Sequence, residues 1–272
     1  MKIDIVLTSC NLNNYYLNLY PYVFNVWKVK FNLDLYLILI SDSIPDNLLK
    51  YEKYIILFKP IPNINSTYIA QVIRILYPSL FNNLNVLITD IDIFPISKNY
   101  FITSIEKYSQ EHFIAYTNRY MKNNMIAICY NVANSNVWKK IFNINNLEDI
   151  NNILLSNYND KYNGIKNCVG WYTDQKLLFN YIMEYINKTN TSDTNNTDNT
   201  DNTDNTVIFL NDNDINYKRL DGKSANKLLE IKNNQNYILK NIDVYSDFHI
   251  IRNYNLNLKL FENIIESILL CD

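Results

Sequence analysis

The sequence predicts an α/β fold, a mostly parallel sheet flanked by helices, on three observations. Short apolar runs rich in β-branched residues, at 2–8, 33–40, 54–58 and 86–88, suit strands buried on both faces of a sheet. Between them lie stretches such as 15–30 and 68–81 whose apolar residues recur at helical spacing. The two kinds of segment alternate, which is the pattern of βαβ units. With 272 residues the chain can bury a sizeable core. It reads as a single domain, 1–272, with a C-terminal elaboration.

The first strand ends at Thr8-Ser-Cys-Asn11, and the second, 33–40, stops at Ser41-Asp-Ser43. Pro45 suits the opening turn of a short helix. Ser66 and Thr67 are candidate caps for the helix 68–81, whose Ile69, Val72, Ile73, Leu76 and Leu80 share one face while Gln71 and Arg74 point away. The strand 86–88 follows, and Pro95 is expected to end its pairing, having no amide to donate. Further on, a helix at 100–108, strands at 113–116 and 125–130, and helices at 135–142, capped by Ser135, and 147–158 are expected.

Gly164 and Gly170 lie in a loop, 163–171. Two glycines so close, in a chain with only three, mark backbone needing positive φ or close approach to something. Thr173 then caps a helix over 174–186. The Thr-Asp-Asn run at 189–206 is of low complexity and too polar to bury itself, so it reads as a disordered insertion. A strand at 207–210, a segment 244–251 holding His249, and a closing helix at 258–270 complete the expected order.

Composition excludes several function classes. A net charge of -2 provides no electrostatic footprint for nucleic acid or an anionic membrane. Cys10, Cys129, Cys168 and Cys271 form no C-x-x-C, so neither a zinc knuckle nor a disulfide framework is indicated, and reduced thiols are expected. No signal-peptide pattern opens the chain, and the longest apolar run, 33–40, is too short to span a bilayer and carries Asp34. A cytoplasmic protein without a membrane span is the expectation. With Gly222 the third and last glycine, there is no dinucleotide fingerprint, P-loop or nucleophile elbow. His112 and His249 are the only histidines, which excludes an H-E-x-x-H zinc site. His112, between a helix and a strand, reads as structural.

The chemistry concentrates at Val86-Leu-Ile-Thr-Asp-Ile-Asp-Ile-Phe-Pro95. Asp90 and Asp92 sit one residue apart beyond the end of a buried strand, where open α/β sheets bind their ligands. Two such acids repel unless something positive lies between them. A divalent cation is the simplest candidate, and hard oxygen ligands select Mn²⁺ or Mg²⁺.

Gln71-Val-Ile-Arg-Ile-Leu-Tyr-Pro78, then this stretch, then Trp171-Tyr-Thr-Asp-Gln175, together resemble the nucleotide-sugar-dependent glycosyltransferases of the GT-A fold. The resemblance spans residues 1 to about 180. It implies a GT-A-like, Rossmann-type sheet and transfer of a sugar from a nucleotide-diphosphate donor, by family habit a UDP-sugar, to a hydroxyl of a glycan or protein acceptor. It also implies that Asp92 binds the metal directly and that Asp90 touches the ribose and holds the metal through water. Arg74 would complement phosphate or sugar oxygens; a solvated residue on the polar helix face is the alternative. Thr8, Asn11 and Tyr15 stand where the family holds the nucleotide base, and Asp42 would accept from that base, or cap a turn. Asp174 would serve as a base toward the acceptor or stabilise an oxocarbenium-like transition state, with Gln175 assisting and Trp171 stacking on a sugar. An acid in a helix's first turn also satisfies orphan amides.

His249 would be a further metal ligand by likeness to glycogenin-type transferases. The text His249-Ile-Ile-Arg-Asn-Tyr-Asn255 lacks the Gly, Lys and Trp of that motif, although Arg252 can replace the phosphate-binding Lys. Three rivals stand beside this reading. One is a silent member of the fold that binds a nucleotide sugar or glycan without turnover, and another is a protein-interaction domain. The third, a phosphatase of the D-x-D-x-Thr/Val type, meets Phe94 at the Thr/Val position.

Overall fold

The computed structural model describes residues 1–192, 206–221, 241–250 and 258–271. The body of the low-complexity run, 193–205, and Arg252 lie outside the described residues. Among those described, a seven-stranded sheet has the order β3-β2-β1-β4-β7-β6-β8. Its strands are β1 (Ile5–Asn11), β2 (Asp34–Ile40), β3 (Ile55–Phe58), β4 (Asn85–Thr89), β6 (Phe113–Ala115), β7 (Tyr130–Asn134) and β8 (Val207–Phe209). Only β7 runs against its two neighbours; the other four pairings are parallel. A second sheet of three short strands joins β5 (Ile93–Pro95), β10 (Asp247–His249) and β9 (Arg219–Asp221).

The central strands are buried on both faces, as their unbroken apolar text requires. Val86 and Ile88 of β4 face one hydrophobic cluster and Leu87 the other. The first cluster includes α3 (Ser66–Leu76), α5 (Ser135–Phe142), α6 (Leu147–Asn157) and α7 (Thr173–Ser192). The other contains α2 (Tyr20–Phe31), the three-stranded sheet and α8 (Leu258–Leu270), with Trp27, Phe94, Phe248 and Phe261 fully buried. Helices therefore cover both faces of the sheet.

Several boundaries differ from expectation for identifiable reasons. The expected helix 15–30 is a short α1 (Asn14–Leu17) followed by α2 with Pro21 in its first turn. The cap of α3 is Asn65, whose Oδ1 accepts from Thr67 N at 2.9 Å, and the helix tightens to a 3₁₀ turn over Tyr77–Leu80, where Pro78 breaks the α pattern. The helix expected at 100–108 shrinks to α4 (Lys98–Phe101) and a 3₁₀ turn, Thr103–Ile105. Asn134, not Ser135, caps α5. Residues 125–129 form no strand; the chain becomes β7 only at Tyr130, where it pairs with Thr89. α7 runs on to Ser192, past the point where low complexity begins.

Pro95 does not end pairing. β5 is itself a strand and lies antiparallel to β10, with Pro95 opposite Asp247. The loop glycines behave as expected, with φ +75° at Gly164 and +83° at Gly170. Elsewhere asparagine replaces glycine in left-handed backbone, closing α2 at Asn32 and α5 at Asn143.

Candidate active site

The chain reverses its direction of winding between β1 and β4. β2 and β3 add to one side of β1; α3 then carries the chain across, and β4 pairs with the other side. Such a switch point opens a crevice beyond the carboxyl ends of the two strands. A cleft of about 330 Å³ occupies it, lined by Asn11, Arg74, Asp90, Asp92, Asp174, Gln175 and His249 among others.

Asp92 and His249 meet because of strand register. β5 begins one residue after Asp92, and its Ile93 pairs with His249 of β10, while Ile250 N donates to Asp92 O at 3.0 Å. The His249 Nε2 thereby comes to 3.3 Å from Asp92 Oδ2. Burial opposes ionisation of Asp92, but the hydrogen bond and charge of His249, with Arg74, outweigh it and hold its pKa below the usual value. Burial likewise opposes protonation of His249, yet Asp92 raises its pKa.

Arg74 projects from the polar side of α3 between two acids. Its Nη1 donates to Asp90 Oδ1, and its Nη2 lies 3.5 Å from Asp174 Oδ2. Burial opposes the guanidinium charge, and Asp90 followed by Asp174 overcome this and raise its pKa. Asp174, in the first turn of α7, is 4% exposed and accepts from Gln175 N at 2.8 Å. With Arg74 given chiefly to Asp90, desolvation dominates at Asp174 and pushes its pKa up to about 6.

Other expected residues are placed differently. Asn11 reaches the cleft, but its side chain is engaged: Nδ2 donates to Ser66 Oγ and Thr67 Oγ1, and Oδ1 accepts from Asn13 N. Thr8 is fully buried within the sheet, outside the cleft lining, and Asp42 is exposed away from it. Tyr15 lines a second cleft of about 440 Å³, which shares Tyr16, Asp92, Trp171 and His249 with the first. Gln71 lines the first cleft and accepts from Tyr162 Oη at 2.7 Å. His112 lies elsewhere, its Nδ1 2.8 Å from Ser109 Oγ.

Sequence reasoning missed Arg219. It lines the cleft from β9, and its Nε and Nη2 donate to Asp247 Oδ1 and Oδ2 at 2.8 and 2.7 Å. Asp247 is fully buried, and parallel pairing of β9 with β10 sets the two residues side by side. No local pattern around Arg219 announced it. Cys10 and Cys129 also line the cleft, and burial pushes their thiols up to about 12 and about 11, so both stay protonated at neutral pH.

Asp92 and His249 offer one carboxylate oxygen and one imidazole nitrogen. No three His, Cys, Asp or Glu side chains among the described residues are grouped to hold a metal, and Asp90 is committed to Arg74. Of these two donors the carboxylate suits Mn²⁺ or Mg²⁺ and the imidazole suits softer divalent ions, and the remaining places of such an ion would fall to water or substrate oxygens. No helix among the described residues is long and apolar enough to cross a membrane.

No known protein family and no curated protein matches the chain by sequence. Among solved structures it is similar to the galactosyltransferase LgtC in complex with donor and acceptor sugar analogues. That match has 12% identity, covers 96% of this chain and 95% of that one, and has a TM-score of 0.48. It is also similar to the glycosyltransferase GlyE of Streptococcus pneumoniae TIGR4, with 12% identity, 98% of this chain covered and a TM-score of 0.46. The apo form of GlyE matches at 12% identity, with 99% of this chain covered and a TM-score of 0.47. The chain spans 63% and 62% of the two GlyE structures' length.

Proposed function

We propose that the chain is a glycosyltransferase that moves a sugar from a nucleotide-diphosphate donor, a UDP-sugar, to an acceptor hydroxyl on a glycan or protein, with Mn²⁺ or Mg²⁺. The observation that carries the reading is the meeting of Asp92 with His249 at the switch point, beside the buried Arg74, Asp90 and Asp174 cluster. Asp92 and His249 would hold the metal. When bound, that ion neutralises the diphosphate and the charge that develops as the nucleoside diphosphate departs.

The chain's own residues supply the rest. Asp174, with its pKa near neutrality, takes the proton of an acceptor hydroxyl or faces positive charge developing at the sugar. Arg74 positions both acids. Trp171, at the seam of the two clefts, offers an aromatic face to a sugar or base.

A thermal-shift screen of nucleotides and nucleotide sugars, with Mn²⁺ or with a chelator, tests this reading. A ligand at a hundred times its Kd stabilises by about 2.7 kcal/mol. A shift with UDP or a UDP-sugar that disappears on chelation is expected; no shift with any nucleotide overturns the proposal.

A further inference from the structure

The cations around the two clefts are few, and their partners differ. Arg74 is held by Asp90 and Asp174, Arg219 by Asp247, and His249 by Asp92. Lys166 lines the second cleft, is exposed, and has no carboxylate partner among the described residues. The first cleft, with Asp90, Asp92 and Asp174, is rich in acid and its cations are already neutralised. A dianionic group entering this region therefore finds uncompensated side-chain charge at Lys166.

The loop that carries Lys166 is built. Ile165 N donates to Asn163 Oδ1 at 2.9 Å, Cys168 N to Ile165 O at 3.0 Å, and Trp171 N to Cys168 O at 3.0 Å. Gly164 and Gly170 bracket these turns in the left-handed region. Lys166 is thus presented from a folded loop and lines the same cleft as Tyr15, Tyr16, Asp92 and His249.

We infer that Lys166 binds the phosphates of the nucleoside diphosphate, which lie in the second cleft between this lysine and the Asp92–His249 pair. The nucleoside then extends along Tyr15 and Tyr16, and the sugar reaches through the shared seam to Arg74, Asp174 and Gln175. This placement rests on the transferase reading above. It assigns the phosphate-binding cation to the glycine-bracketed loop and makes the donor straddle both clefts.

The test is calorimetric titration of uridine, UMP, UDP and glucose 1-phosphate with Mn²⁺ into the wild type, Lys166→Gln and Lys166→Arg. Lys166→Gln is expected to weaken UDP about tenfold and UMP less, since a charge-assisted contact is lost. Uridine should be unaffected, Lys166→Arg should keep most of the UDP affinity, and the wild-type advantage should shrink with added salt, which screens an exposed charge. Wild type that binds UDP no better than Lys166→Gln overturns the inference and leaves the transferase reading standing. Equal weakening of uridine and UDP also overturns it, because the loop and not its charge would then be responsible. If glucose 1-phosphate alone is weakened, Lys166 serves a phosphorylated acceptor and the donor placement falls. Wild type that binds none of the four overturns the transferase reading and the inference together.

Discussion

His249 Nε2 lies 3.3 Å from Asp92 Oδ2, two groups from distant parts of the chain brought together by one antiparallel strand pair. The pairing places an imidazole where the Asp-x-Asp stretch alone supplies only carboxylates. Substituting either residue separates a metal-site role from a structural ion pair. Asp92→Asn is expected to abolish the metal-dependent thermal shift with UDP while costing only about 1 kcal/mol of stability. His249→Gln, which retains a polar side chain, should raise the Mn²⁺ concentration needed for the UDP shift without altering the shift produced by nucleoside alone. Urea denaturation together with Mn²⁺-dependent thermal shift reads both effects, and an unchanged nucleotide shift in Asp92→Asn contradicts the site.

Arg74 holds two acids apart and is itself nearly buried. Arg74→Met removes that countercharge and leaves Asp174 desolvated beside Asp90, so a loss of about 3 kcal/mol is expected. Adding Asp174→Asn should recover part of it, because one buried charge is then gone. Chemical denaturation of both variants at neutral pH checks the order; a double variant less stable than the single one contradicts the arrangement.

Asp174 also makes stability depend on pH. Its folded pKa of about 6 lies above the ordinary value of 3.8, so the folded chain holds that proton more tightly than the unfolded one. Its ionisation therefore costs stability progressively as pH rises from the ordinary value to about 6, and the full cost, about 3 kcal/mol, persists above that. Asp174→Asn should remove this slope, leaving the variant's stability gaining on the wild type's between pH 4 and 6. Denaturation midpoints across that range decide it, and parallel profiles count against the shift.

Gly164 tests the loop backbone. A Cβ there would meet only Thr67, at 3.7 Å, an ordinary contact, so the cost of Gly164→Ala comes from φ +75°. A loss of about 1 kcal/mol is expected. Gly164→Asn should cost less, because asparagine tolerates left-handed backbone, as Asn32, Asn143 and Asn167 do in this chain. Thermal melts of the two variants rank them; equal losses would point to packing instead of backbone.

Much of the architecture could be read from local text. The apolar runs announced the central strands, helical spacing announced α3, a closing helix was expected where α8 lies, and the two loop glycines announced their positive φ. The acids beyond β4, with Arg74 and Asp174, could be marked as candidates because a strand end, a polar helix face and a helix first turn are all local features. Asn11 shows the limit of that reasoning. It reaches the cleft as expected, but its amide is engaged by Ser66 and Thr67, which only the docking of α3 against β1 decides. Thr8 is left out of the cleft because it lies deeper along β1, whereas Ser9, Cys10 and Asn11 at the strand's carboxyl end line it.

By itself the sequence determined the alternation of strands and helices, the burial of the sheet on both faces and the acids at the end of β4. These follow from periodicity and chain stiffness, which act over a few residues. Only the tertiary structure decided that His249 meets Asp92, that Arg219 is clamped by Asp247, and that Arg74 is shared between two acids. Those meetings depend on the register of β5, β9 and β10 and on the crossing of α3 behind the sheet. Side chains far apart in the chain are brought together there by backbone hydrogen bonds and core packing that no single stretch specifies.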